Sequence, residues 1–356
     1  MEKRIERLRK TFKDLQIEGM LITSASNRRY ISGFTGSAGY VLITQKDAIF
    51  ITDFRYVDQA KNQAASYEII QHQGSIVETV NEQLKRLSIQ VLGFEQDFVT
   101  YSLYKQFEET FVNIELKPIS QVIEKLRMIK DPNEVALIRK AAEIADQAFS
   151  YILTAIKPGM KETDVAFQLE CKMRELGAEG ASFDTIIASG YRSAMPHGVA
   201  SDKVIQSGDL VTMDFGAIYQ GYVSDITRTI IMGTPNQKQK EIYQIVLEAQ
   251  LNGVQHVKAG MSGKEADALT RDIISKFGYG EYFGHSTGHG IGLDVHEGPG
   301  LSFKSDIILQ PGMVVTVEPG IYITDFGGVR IEDDVLITDH GREIITQSTK
   351  ELLIID

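Results

Sequence analysis

Apolar positions along the chain change their rhythm near residue 125. Before it, short β-branched runs at Gly19-Met-Leu-Ile-Thr23, Tyr40-Val-Leu-Ile-Thr44, Ala48-Ile-Phe-Ile-Thr52, Tyr67-Glu-Ile-Ile70 and Ile89-Gln-Val-Leu-Gly93 read as strands. Between and around them an amphipathic start, Val77 to Leu87 and Tyr101 to Phe111 carry helical spacing. This interleaving predicts a small α/β domain. At Arg127-Met-Ile-Lys-Asp-Pro132 the pattern resets, with Asp131 placed to cap and Pro132 to fill the first turn of a long helix. Val135, Ile138, Ala142, Ala145, Phe149 and Ile152 give that helix a single apolar stripe. Two domains are therefore expected, residues 1–125 and 126–356.

The second domain repeats itself. Ile156-Lys-Pro-Gly-Met160 returns as Val257-Lys-Ala-Gly-Met261, each opening a helical pattern. Ile205-Gln-Ser-Gly-Asp-Leu-Val-Thr-Met-Asp214 returns as Leu309-Gln-Pro-Gly-Met-Val-Val-Thr-Val-Glu318. A period of about a hundred residues is far too long for a solenoid, so two similar α+β halves facing one site are expected.

The repeat carries its carboxylates with it. Asp214 and Glu318 each stand alone in an apolar strand, where a charge is costly to bury without a cation or donors beside it. Each has a second acid downstream, Asp225 in Ser224-Asp-Ile-Thr-Arg-Thr229 and Glu332 in Val329-Arg-Ile-Glu-Asp-Asp334. Strand alternation places Val223, Asp225 and Thr227 on one face and Arg330, Glu332 and Asp334 on another, so Thr227 and Arg330 flank the acids. Taken singly, Asp214 or Asp225 reads as a turn or cap residue, and Arg330 to Asp334 as a solvated edge-strand charge run. The symmetric repetition favours a shared metal site instead.

Of seven histidines, His285, His289 and His296 crowd into His285-Ser-Thr-Gly-His-Gly-Ile-Gly292 and the residues after it, and His197 lies in Ala194-Met-Pro-His-Gly198 of the first half. For any one of them an ordinary hydrogen-bonded histidine is an equal alternative. Glycines 284, 288, 290 and 292 would let backbone approach a ligand closely, but the run lacks a phosphate-binding pattern. Oxygen-rich ligation with an imidazole suits Mn²⁺, Co²⁺, Fe²⁺ or Zn²⁺ better than a cysteine-based structural zinc. Two such ions sharing a water are machinery for hydrolysis.

Composition narrows the field further. With 37 basic against 48 acidic residues the chain carries −11, which opposes nucleic acid and anionic membranes as partners. No apolar run is long enough to span a bilayer, and the charged N-terminus lacks a signal-peptide core, so a cytoplasmic location is expected. The single cysteine, Cys171, excludes an internal disulfide and reads as a packed thiol.

Met213-Asp-Phe-Gly216, Ser224 to Thr229, Thr287-Gly-His-Gly-Ile-Gly-Leu-Asp-Val-His-Glu297, Val317-Glu-Pro-Gly-Ile-Tyr322 and Val329 to Asp334 together resemble the pita-bread metallopeptidases. The likeness covers the whole chain and is greatest to the proline-specific branch, Xaa-Pro dipeptidase (prolidase) and aminopeptidase P. It implies an α+β fold in which a pita-bread domain with an internal pseudo-twofold follows a smaller creatinase-like α/β domain. It makes Asp214, Asp225, His289, Glu318 and Glu332 the ligands of two divalent metals, manganese foremost and cobalt, zinc or iron as substitutes, with Asp225 and Glu332 bridging. His285 stays unligated and joins His197 and His296 in binding substrate. Catalytic roles fall to His197 and His296 at the scissile carbonyl, to Glu318 as proton shuttle, and to Arg330, which orients Glu332 or a substrate carboxylate. The implied partners are short Xaa-Pro peptides and a second copy of the chain. The implied activity is hydrolysis of Xaa-Pro dipeptides, with aminopeptidase P action on longer peptides as the alternative. A non-catalytic peptide-binding module and metal-free hydrolysis of a guanidino compound are the rivals, and intact ligand positions count against both. Tyr30, Phe34, Arg55 and Tyr56, in the loops after Ser26 and Asp53, are candidates to reach a neighbouring subunit's site, with plain surface packing as the simpler expectation.

Overall fold

A computed structural model describes residues 1–356 and divides them into two compact units, Met1–Arg127 and Met128–Asp356. The first holds helices α1 (Glu2–Leu15), α2 (Ala25–Ser32), α3 (Val57–Gln63), α4 (Ile76–Arg86), α5 (Tyr101–Thr110) and α6 (Val122–Met128, which runs one residue past its end). Its strands are β1 (Gly19–Ile22), β2 (Tyr40–Thr44), β3 (Ala48–Thr52), β4 (Glu68–Gln71), β5 (Val91–Glu95) and β6 (Glu115–Ile119). They form one mixed sheet in the order β4-β3-β2-β1-β5-β6. Leu21, Leu42, Ile49 and Leu92 from the sheet pack against Val80, Leu84 and Phe107 from α4 and α5.

Two details depart from the sequence expectation. The segment after Ser26 is helical, ending at Gly33 in the left-handed conformation, and its polar Asn27 is fully buried because Glu95 and Glu124 accept from its amide. Tyr30 and Phe34 are core residues of this unit, each 1% exposed, so they are not available to a neighbour. Arg55 is exposed and pairs with Asp53.

The second unit begins with α7 (Pro132–Ala155), capped by Asp131, whose carboxylate accepts from the N–H groups of Asn133 and Glu134. Then come α8 (Glu162–Glu175), β7 (Gly180–Ala181), β8 (Ile186–Ser189), β9 (Leu210–Phe215), β10 (Ala217–Tyr219), β11 (Tyr222–Val223) and β12 (Ile226–Met232). The second half repeats the plan with α9 (Gln237–His256), α10 (Gly263–Lys276), β13 (Gly288–Gly290), β14 (Glu297–Leu301), β15 (Val314–Val317), β16 (Gly320–Ile323), β17 (Gly327–Arg330), β18 (Asp333–Thr338), β19 (Gly341–Ile344) and β20 (Ile354–Ile355). Two antiparallel cores result, β12-β9-β8 with β20 added in parallel, and β14-β13-β15-β18-β19. Helices α7 and α8 bury Phe149, Ile152 and Leu169 against Ile187, Met213 and Ile230 of the first core. Helices α9 and α10 bury Val254 and Ala266 against Val315, Val317 and Val335 of the second. The duplicated turns correspond as well, since Lys161 bridges to Val204 and Ser262 to Ile308. The architecture is α+β, with the mirrored halves the sequence predicts.

Candidate metal centre

Uninterrupted strand alternation fails at the acids themselves. Ser224 and Asp225 form a break between β11 and β12, and Ile331 and Glu332 form the matching break between β17 and β18. A residue outside the ladder has a backbone N–H to satisfy, and each break satisfies it across the pseudo-twofold. The Asp225 N–H donates to the Asp334 carboxylate at 3.0 Å, and the Glu332 N–H donates to the Thr227 carbonyl at 3.1 Å. Asp214 sits within β9, whereas Glu318 is the first residue past β15, its N–H donating to the Thr287 carbonyl at 2.7 Å.

These placements aim all four carboxylates into one cavity of about 520 Å³. Asp214, Asp225, His289, Glu318 and Glu332 line it, as do His197, His285, His296 and Arg330. Ligand atoms of Asp225, His289 and Glu332 lie within 4.8 Å of one another. The His289 Nε2 stands 3.5 Å from Glu318 Oε1 and 3.7 Å from Asp225 Oδ2. Its Nδ1 lies 3.2 Å from the Gly290 carbonyl, a contact that places the ring proton on Nδ1 and leaves the Nε2 lone pair facing the acids.

The run from Arg330 to Asp334 is fully buried and is no solvated edge. The Arg330 guanidinium donates to Asp214 Oδ2 at 2.5 Å, to the Tyr322 hydroxyl at 2.8 Å and to the Thr227 hydroxyl at 3.1 Å. It reaches Glu332 only through Thr227, whose hydroxyl donates to Glu332 Oε2 at 2.6 Å. Tyr322 was passed over by residue chemistry, although it closes one of the quoted motifs. Its hydroxyl also lies 2.7 Å from His285 Nε2, tying that ring to Arg330. Phe183, Ile186, Val199 and Val295 add apolar lining that periodicity alone did not assign to the site.

The glycines around His289 serve strand contact as much as ligand approach. A Cβ on Gly288 would meet the Thr316 carbonyl oxygen at 1.9 Å, and in the first half a Cβ on Gly216 would meet that of Ser224 at 1.8 Å. No side chain fits at either place, so glycine sets the close backbone approach that delivers His289 and Asp225 to the cavity.

Crowded acids in a buried cavity resist ionisation. Burial first, then Asp214, pushes Glu332 up to about 8, with Thr227 and Arg330 opposing. Burial followed by Glu332 raises Asp225 and Glu318 well above the usual carboxylate range. Burial, followed by Arg330 for His285 and by His296 for His289, lowers both imidazoles to about 4. The imidazoles are thus already in the neutral form that ligates, and a cation among the acids would offset the repulsion that holds their protons on. The Oδ1 atoms of Asp214 and Asp225 are buried without a hydrogen-bond partner in the protein, as expected for atoms that complete their valence on a metal. The donor set fits a divalent transition ion.

Comparison with known proteins agrees with this chemistry. A Creatinase/Prolidase N-terminal domain profile matches residues 4–129, and the profile of Metallopeptidase family M24 matches residues 136–339. The chain is 59% identical to a solved structure described as Xaa-Pro dipeptidase from Bacillus anthracis, with a TM-score of 0.98 and 99% of each chain covered. It is 45% identical to the Xaa-Pro dipeptidase of Pyrococcus horikoshii over 99% of both chains. A solved X-Pro aminopeptidase from Thermotoga maritima is 41% identical with a TM-score of 0.91, covering 97% of this chain and 100% of that one. The mirrored acid pairs, the single imidazole between them and these matches together make the chain a member of metallopeptidase family M24 carrying a creatinase/prolidase N-terminal domain.

Proposed function

We propose that the protein is a dinuclear metal-dependent Xaa-Pro dipeptidase. The observation that carries this reading is the convergence of Asp214, Asp225, His289, Glu318 and Glu332 on one cavity, with buried carboxylate oxygens left for a cation. Relatives named Xaa-Pro dipeptidase at 45% and 59% identity supply the substrate class. In this reading Asp214, Asp225, His289, Glu318 and Glu332 would hold two divalent ions, manganese first. When bound, such a pair lowers the pKa of a shared water and polarises a carbonyl.

The chain's own residues then do the following work. Glu318, which lines the cavity, takes the proton of the attacking water at one carboxylate oxygen and passes it to the proline nitrogen as the bond breaks. His197 and His296, both exposed to the cavity, hold the scissile carbonyl and the charge that develops on its oxygen. His285, held neutral by burial and fixed by Tyr322, contacts substrate without ligating. Arg330 fixes Asp214 directly and Glu332 through Thr227. A prolyl nitrogen has no N–H, so Phe183, Ile186, Val199 and Val295 can enclose the ring without leaving an acceptor unpaired. No helix is long and apolar enough to cross a membrane. A cytoplasmic location, in keeping with the charged N-terminal segment, and the homodimer that the family resemblance implies belong to the same proposal.

The X-Pro aminopeptidase of Thermotoga maritima, 41% identical, supports a second reading in which longer peptides are cleaved. Hydrolysis of Ala-Pro against Ala-Pro-Ala by manganese-reconstituted protein separates them. Cleavage of Ala-Pro with little action on Ala-Pro-Ala is expected. Preference for the tripeptide would transfer the assignment to the aminopeptidase, and cleavage of neither would remove both.

A further inference from the structure

Glu162, the first residue of α8, has a fully buried carboxylate to which the chemistry above gives no task. Its Oε1 accepts from the N–H and the hydroxyl of Ser189, both at 2.8 Å. Its Oε2 accepts from the N–H of Ser201 at 3.1 Å, from the Ser201 hydroxyl at 2.7 Å and from the Arg192 guanidinium. Arg192 in turn donates to the Val199 carbonyl at 2.8 Å. Those partners stand at the entrance, the middle and the exit of one segment, Ser189 to Ser201, and His197 lies inside it. The His197 ring is exposed to the cavity, so its position depends on the backbone that carries it.

The second half contains a counterpart. Asp267 of α10, 1% exposed, accepts from the Thr287 N–H at 3.0 Å and pairs with Arg271. Arg271 donates to the carbonyls of Phe283 and His285, at 2.9 and 2.7 Å. In both halves a buried acid on the second helix, paired with an arginine, ties down the loop that brings histidines to the cavity. A buried carboxylate is tolerated only with its donors in place, so each pair holds its loop in one arrangement.

We infer that Glu162 is a positioning residue that, with Arg192, fixes His197 against the substrate carbonyl; this rests on the dipeptidase reading of the same site. The test uses full-length, manganese-loaded enzyme with Glu162→Gln and, in case that variant does not fold, Arg192→Met, which breaks the same pair from the loop side. Metal content is expected to match the unmodified protein while kcat/KM for Ala-Pro falls between about tenfold and a hundredfold, the scale of a misplaced catalytic group. Hydrogen exchange across residues 190–200 should quicken. In a His197→Ala background either substitution should cost less than about twofold more, because its effect passes through a ring no longer there. Unmodified kcat/KM in the variants, or a loss that multiplies fully with His197→Ala, would overturn the inference. If the unmodified enzyme fails on Ala-Pro, the dipeptidase reading falls separately, and unchanged exchange at 190–200 in both variants then overturns the clamp itself.

Discussion

Stripping the metal should make the protein's stability fall as pH rises through the neutral range, a direction opposite to that of most paired carboxylates. Glu332 has an ordinary value of 4.5 and is raised to about 8 by burial and by Asp214. The folded state therefore keeps a proton that the unfolded chain releases, and the stability this gives is full below pH 4.5 and lost as pH rises through 8. His285 and His289 work the other way: lowered from 6.5 to about 4, they weaken the fold only as pH falls below 6.5. Between pH 6.5 and 8 the carboxylates alone remain. At 1.36 kcal/mol per pH unit, Glu332 by itself removes about 2 kcal/mol over that window. Asp225 and Glu318, raised in the same direction, add to it. For a unit the size of Met128–Asp356, Tm should drop by roughly 4–8 °C. Thermal unfolding of chelator-dialysed protein at a series of pH values, repeated with Mn²⁺, measures it. With Mn²⁺ the decline should vanish, so that stabilisation by metal grows with pH. A metal-free Tm that is flat or rising from pH 6.5 to 8 would refute the repulsion among these acids.

Thr227→Val keeps the shape but removes the hydroxyl that links Arg330 to Glu332, leaving two buried polar groups short of a partner. It should cost about 2–4 kcal/mol in urea unfolding and extend the metal-free decline to higher pH. Asp225→Asn should cut metal affinity, read by calorimetry, by more than about a hundredfold, beyond what loss of a supporting contact costs, with circular dichroism unchanged. Gly216→Ala drives a methyl group into the Ser224 carbonyl beside Asp225 and should destabilise by about 3 kcal/mol or more, with weakened metal retention.

Much of this site was legible in the sequence because its physics is local. A lone acid in an apolar strand signals a cost that something must offset, and finding Asp214 and Glu318 at equivalent points of a repeat identifies the same cost twice. The capped start of α7 was readable for a similar reason, since Asp131 and Pro132 act on the turn that contains them. Elements governed by distant partners were harder to see. Helix α2 carries a fully buried Asn27 whose partners, Glu95, Glu124 and Arg127, all lie far along the chain. Strand β6 contains Pro118, tolerated because β6 is the sheet edge, and its mixed composition has no clear period. The breaks at Asp225 and Glu332 depend on hydrogen bonds between halves more than a hundred residues apart, which alternation within one strand cannot reveal. Tyr322 and Glu162 likewise depend on partners outside their own elements, 37 and 27 residues away within the same half.

The most direct measurement is anomalous diffraction from crystals of the manganese-loaded protein, recorded at the metal edge. Two peaks about 3.5–4 Å apart are expected, both touching Asp225 and Glu332, with Asp214, His289 and Glu318 completing the shells. Peaks elsewhere on the molecule, or none within reach of those carboxylates, would contradict the account.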